Sequence, residues 1–314
     1  MNYFSQHWTF DPTILLVVAT VALHEVGLSR LAQRAAPERT RRRRRLSWFF
    51  YSGLVVFLLV VTSPVDYWSS RYFFVHMIEH VFLCFAVPIL VVAGAPWLPL
   101  MFSLPVVARR KVGRFFYLSA RAGGLRTVGR FIRHPWTAVI SFNAVMLFWH
   151  IPSMFELAES NSFVHIVAMH GSFVVTGVLF WLQIIPSYPM KPARGPVWQG
   201  AAVLGTNAVM TVLAMAMSFL TSVSWYTNYS HLPGVTLSPF ADQQIGAAIL
   251  WVCGDFWALP ALNIIVRRAI KEDGSFSAVL DRLVHRSPDT SMERFLASRA
   301  PGGSPLPVDA TGES

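Results

Sequence analysis

Apolar runs of about 20 residues, the length that crosses the hydrocarbon core of a bilayer, recur along this chain. Seven qualify: residues 13–28, 46–62, 76–95, 135–151, 163–185, 197–220 and 242–266. A soluble fold has no use for so many. Hydrophobic residues make up 54% of the 314 and charged residues 13%, against about 25% charged in a soluble domain. The expectation is all-α: a polytopic transmembrane helical bundle of about seven spans over residues 1–269, with a polar tail at 270–314 whose PGGSPLPVDATGES end reads as disordered. The first run is short and carries His24 and Glu25. No Lys or Arg precedes it, so it reads as a retained helix and not a secretory signal. Pro135 suits a first helical turn, Pro152 and Pro186 suit helix exits, and Pro88 predicts a kink inside the third span.

Charge fixes an orientation. All but Arg71 of the 26 Lys and Arg fall after the first, third, fifth and seventh runs, and residues 41–45 are five consecutive arginines. Basic loops stay in the cytoplasm. Seven spans therefore place the N-terminus outside and the C-terminus in the cytoplasm; an even number would spoil the pattern. The net charge of +10 reads as topology and attraction to anionic lipid, not as nucleic-acid binding. The other loops carry Asp66, Glu156, Glu159 and the aromatic pairs Tyr67-Trp68 and Trp225-Tyr226, residues that favour a membrane interface.

Ionisable residues within spans are costly and usually functional. Here most of them gather at the end away from the arginines: His76, Glu79 and His80 open the third span, His150 closes the fourth, His165 and His170 open the fifth, and Asp242 opens the seventh. His76, His80 and Cys84 recur every four residues on one helical face, descending about 12 Å at a rise of about 1.5 Å per residue. Asp242 and Cys253 also share a face. His165 and His170 are about 140° apart on an α-helix and cannot both face one ion unless the helix start is distorted. Of Met215 and Met217 only one can face inward. Imidazole, thiolate and thioether together suit copper, Cu(I) above all; paired histidines also serve haem. The ordinary alternative is a packed, hydrogen-bonded histidine and a cysteine acting as a small hydrophobe. His24, Glu25 and Asp255, nearer the other end or mid-span, are expected in local hydrogen bonds or, for Asp255, a proton relay.

HMIEHVFLCFAVPILVVAGAP at residues 76–96, FWHIP at 148–152, GVLFW at 177–181 after the two histidines, and DQQIGAAILW at 242–251 occur in this order. In these pieces the chain resembles the CtaG family of cytochrome c oxidase assembly proteins. The resemblance implies a non-enzymatic role in the bacterial cytoplasmic (inner) membrane: building an oxidase, with its subunits as partners, by holding or delivering copper from the outer side. It implies His76, His80, His150, His170 and Asp242 as metal residues; His165, Cys84, Cys253 and Met215 are further candidates. Glu79 departs from the family's first motif, and the pair in the fifth span stands one residue wider than its pattern. A copper transporter, whose polar groups would continue inward, and a haem-binding or haem-modifying enzyme, which would show a Soret band, are the other readings.

Overall fold

In the computed structural model, residues 7–8, 12–229 and 235–273 are described. Among them the chain is all helical, without a named strand. The helices are α1 (Thr13–Ala32), α2 (Pro37–Thr62), α3 (Phe73–Gly94), α4 (Pro135–Trp149), α5 (Pro152–Ser160), α6 (Val164–Trp181), α7 (Pro196–Phe219) and α8 (Pro239–Asp273), with shorter helices between them. Six are long and apolar enough to cross a membrane; the pair α4 and α5, bent by 76° at their junction, makes a seventh if counted as one span. The sequence reading ended this span at Ile151, with Pro152 as its exit; beyond the bend the structure adds α5, which the sequence reading left as loop. Pro152 explains the break: it has no N–H to continue the helix and disfavours a helical Ile151. The chain divides into two compact units, Met1–Ile265 and Val266–Ser314. Of the second, only 266–273 are described, as helix, and the expected tail at 270–314 lies almost wholly outside the described residues.

The core is aromatic and aliphatic, with Phe73, Met77, Leu83, Phe142, Phe173, Phe180 and Met210 fully buried. Large apolar side chains such as Leu15, Val55, Val212 and Val252 face outward, as a bundle solvated by lipid requires. α1 belongs to the bundle at close range. A Cβ on Gly27 would stand 1.7 Å from the Pro99 carbonyl oxygen, so only glycine lets α1 lie against the short helix Trp97–Ser103. Arg30 then donates to the carbonyls of Phe102 and Ser103, at 3.3 and 2.5 Å, and joins the chain after α1 to the chain after α3.

α3 is not a uniform α-helix. It widens into a π-helical turn over Phe82–Ala86, just before Pro88, which has no N–H for the Cys84 carbonyl. A second π-helical stretch, Val164–His170, opens α6. The ionisable groups His24, Glu25 and Asp255 find partners on neighbouring helices. Tyr51 donates to Glu25 and its oxygen lies 2.8 Å from His24 Nδ1. Asp255 accepts from Asn207 Nδ2 at 2.8 Å. Tyr51→Phe would strand His24, which is fully buried. It is expected to lower stability by about 1–3 kcal/mol, read as an earlier denaturation midpoint of the detergent-purified protein.

Candidate metal centre

Helix ends carry five histidines to one end of the bundle. His76 and His80 lie one turn apart on α3, with their Nε2 atoms 2.7 Å from each other. His150, at the α4–α5 bend, has its ring centre 5.9 Å from that of His80. His170 comes to 6.2 Å from His80. His165 stacks on His76 at 5.2 Å and meets His170 edge-on at 4.4 Å. The imidazoles form one continuous nest, and all but His165 are almost wholly buried.

His165 joins because the helix start is distorted. A π turn closes i to i+5, so residues five apart lie nearly one above the other. The 140° separation of an ideal α-helix narrows, and the two rings meet in one space, 4.4 Å between centres. The tautomer of His150 follows from its neighbours. Nδ1 donates to the Met146 carbonyl at 2.6 Å. That leaves the Nε2 lone pair aimed inward, 3.5 Å from the Met77 sulfur. Such an outer hydrogen bond orients a ligating histidine.

Two carboxylates complete the nest, and neither was singled out as a ligand from sequence. Glu79 is fully buried, with Oε1 3.7 Å from His170 Nε2. Glu159, on α5, places Oε1 3.3 Å from His76 Nδ1 and 3.6 Å from His165 Nδ1. Glu79 had a signal: it lies between His76 and His80, three residues from the first, on the face that carries both. Glu159 had none, because only the sharp bend at Pro152 turns α5 back over the histidines.

The donor atoms are under-satisfied. Both oxygens of Glu79, both nitrogens of His170, Nδ1 of His80 and Nε2 of His165 are buried with no hydrogen-bond partner. Ser69, next to Glu79 in the site, spends its hydroxyl on the Asp66 carbonyl at 2.7 Å. Buried polar atoms are normally paired, and an ionised carboxylate away from water requires a compensating charge. A cation held among these atoms would supply it. Among the described residues, the three-residue groups close enough to hold an ion are His76–Glu159–His165 and Glu79–His165–His170, each with its donor atoms within 4.8 Å of one another. The set is imidazole and carboxylate, with the Met77 thioether beside His150; it suits copper or another first-row ion.

The other candidates lie elsewhere. Asp242 belongs to neither group. Its two oxygens accept the backbone N–H groups of Phe73 and Phe74 at 2.8 and 2.9 Å, so it caps α3 from across the bundle. Cys84 is fully buried in the apolar core, and Cys253 packs half-buried against it; among the described residues neither joins an ion-binding group. Met215 faces outward. Met217 is buried, its sulfur 3.7 Å from the Tyr226 hydroxyl.

An aromatic roof closes the nest. Tyr226 is fully buried, stacks on Phe73 at 4.5 Å and donates to the His150 carbonyl at 3.1 Å. It is a roof residue and not the interface anchor that its place in the loop suggested. Tyr229 donates to the Ser69 carbonyl at 2.9 Å, with its oxygen 3.2 Å from His76 Nδ1. Burial pushes the Tyr229 phenol well above its ordinary range, and the carboxylates around it add to that, so it stays a protonated donor. Gln243, also fully buried, ties this loop to α8 by accepting from Trp225 N at 2.6 Å and donating to the Met217 carbonyl at 2.8 Å.

The chain is 26% identical over 299 residues to an uncharacterized protein of Mycobacterium bovis and to one of Mycobacterium tuberculosis, matches that cover 93% of the chain and 43% of each relative. An uncharacterized protein of Mycobacterium leprae is 27% identical over 228 residues, 71% of the chain and 33% of the relative. The chain thus spans less than half the length of these curated relatives. No solved structure matches it. Residues 22–272, which hold every group of the nest and its cap, match the family described as cytochrome c oxidase caa3 assembly factor, Caa3_CtaG, and the chain therefore belongs to that family.

Proposed function

We propose that this protein serves cytochrome c oxidase assembly by holding a copper ion in the histidine nest and passing it to an oxidase subunit docked alongside. The observation that carries the reading is the convergence of buried, unpaired imidazole and carboxylate atoms from α3, α5 and α6 at one end of the bundle. Nothing in that role requires bonds to be made or broken in a substrate; the protein acts as a carrier and not as a catalyst.

Orientation supports the same reading. With α4 and α5 counted as one span the bundle has the odd number of crossings that the basic loops demand. In a bacterial cytoplasmic membrane the arginine-rich loops then lie inside, and the nest opens to the outer side with the N-terminus. The Met77 sulfur lies beside His150, and among the described residues neither cysteine joins an ion-binding group. Cu(I) is the ion expected from a soft set, and imidazole with carboxylate also takes Cu(II).

The test is a competition titration of the purified protein with Cu(I) and with Cu(II), wild type against His76→Ala/His80→Ala. The double variant is expected to lose affinity by about tenfold or more, together with oxidase activity in cells. Equal binding of both ions by the two proteins removes the assignment.

A further inference from the structure

The two ligand groups share one residue. His165 belongs to both, and it sits between them, stacked on His76 with 16° between the rings and edge-on to His170. The groups differ in depth. His165 is common to both; the carboxylates set them apart, since Glu159, beside the buried His76, is 9% exposed, whereas Glu79 and His170 are 0% and 2% exposed. We propose that they are two stations of one ion path. A divalent first-row cation enters at the shallow station, His76–Glu159–His165, and moves to the deep one, Glu79–His165–His170, while His165 stays bound throughout. The inference rests on the copper reading of the nest and adds the order of binding, the ligand of transfer and the charge of the ion.

Three features favour a relay over a single fixed site. Each station has its own carboxylate, so the ion's charge is offset at both ends of the step. The Glu159 oxygen lies within 3.6 Å of His76 and His165 but joins no group with Glu79. A shared imidazole makes the step an exchange at one coordinated ion: the bond to Glu159 breaks as that to Glu79 forms, His170 replaces His76, and no electron moves. One ion occupies the pair at a time, because both stations draw on His165 and two dications at this distance repel strongly in a buried setting. Two imidazoles and a carboxylate are the donors of sites for divalent first-row ions, so the ion carried is Cu(II), with Zn(II) as its chemical mimic.

The experiment uses the full chain in detergent, with Cu(II) and separately Zn(II), reading stoichiometry, equilibrium affinity by chelator competition and uptake rate by stopped flow. The wild type takes up one ion. Glu159→Gln is expected to slow uptake by about tenfold with affinity kept within about twofold, since affinity belongs to the deep station. Glu79→Gln is expected to weaken affinity by about tenfold or more and to keep the fast uptake. His165→Ala weakens both. Two ions per wild-type chain, the same change in rate and affinity from both glutamine variants, or a His165→Ala protein that behaves as wild type would each overturn the relay. Thermal melts without metal verify that the variants are folded. Should neither oxidation state of copper bind the wild type, the copper reading fails, and the Zn(II) arm still decides the relay. Copper binding that needs His76 and His80 but is indifferent to His165 sinks the relay alone.

Discussion

Asp242→Ala is expected to destabilise the protein before any metal is added. The carboxylate takes the N–H groups of Phe73 and Phe74 at 2.8 and 2.9 Å. These are two of the orphan donors that every helix start leaves open, and Tyr72, the residue at the cap, has no side chain bonded to them. Bonds to a charged acceptor contribute about 1.5–3 kcal/mol each, and stranded buried donors cost more. The expected loss is about 3–5 kcal/mol, read as a lower denaturation midpoint of the apo protein. Copper affinity falls with it, because His76 stands in the turn that the cap holds. Asp242→Asn, which keeps an acceptor, is expected to fall between wild type and Ala. The apo measurement separates two roles: a metal ligand would leave metal-free stability unchanged and alter binding alone.

This position shows where sequence reading stops. The family resemblance offered Asp242 as a metal residue, and the structure shows it bonded to the start of α3. The N–H groups it serves lie about 170 residues earlier in the chain, and a cap from so far away leaves no local pattern. Other parts were open to inspection. Long apolar runs marked the spans, since nothing but lipid accommodates them, and the Pro after Ile151 marked the end of the fourth. What sequence could not give was the departure from α geometry. On an α-helix His165 and His170 diverge, and only the π turn at Val164–His170 brings them together. Glu159 read as a loop charge for a related reason: its role depends on the 76° bend that folds α5 over the histidines. Both cysteines were drawn in by periodicity along α3 and α8, yet a thiol in an apolar core is an adequate packing group. Cys84 lies in such a core, past the point where α3 ceases to be α-helical.

Gly177→Leu tests whether the nest depends on helix contact well below it. α6 meets α3 at Gly177, where an added Cβ would stand 2.7 Å from Pro88 Cγ and 2.9 Å from the Cys84 carbonyl oxygen. The proline ring is rigid and the carbonyl is backbone, so neither can yield as a flexible side chain would. A Leu there pushes the two helices apart, and overpacking of this kind costs about 3 kcal/mol or more. His170 lies seven residues above Gly177 on α6, about 10 Å along the axis, and His80 lies above Pro88 on α3. Separation at the contact therefore widens the gap between the histidines that face each other, now 6.2 Å between ring centres. The expected result is a destabilised protein that also binds copper at least tenfold more weakly, although no ligand has changed. Gly205→Ala on α7, where an added Cβ meets nothing within 4 Å, is the control. It is expected to be neutral or slightly stabilising, as Gly→Ala in an uncrowded helix usually is. If Gly177→Leu folds and binds copper as the wild type does, α3 and α6 are not held at this contact, and the nest is set by the loops at its own end.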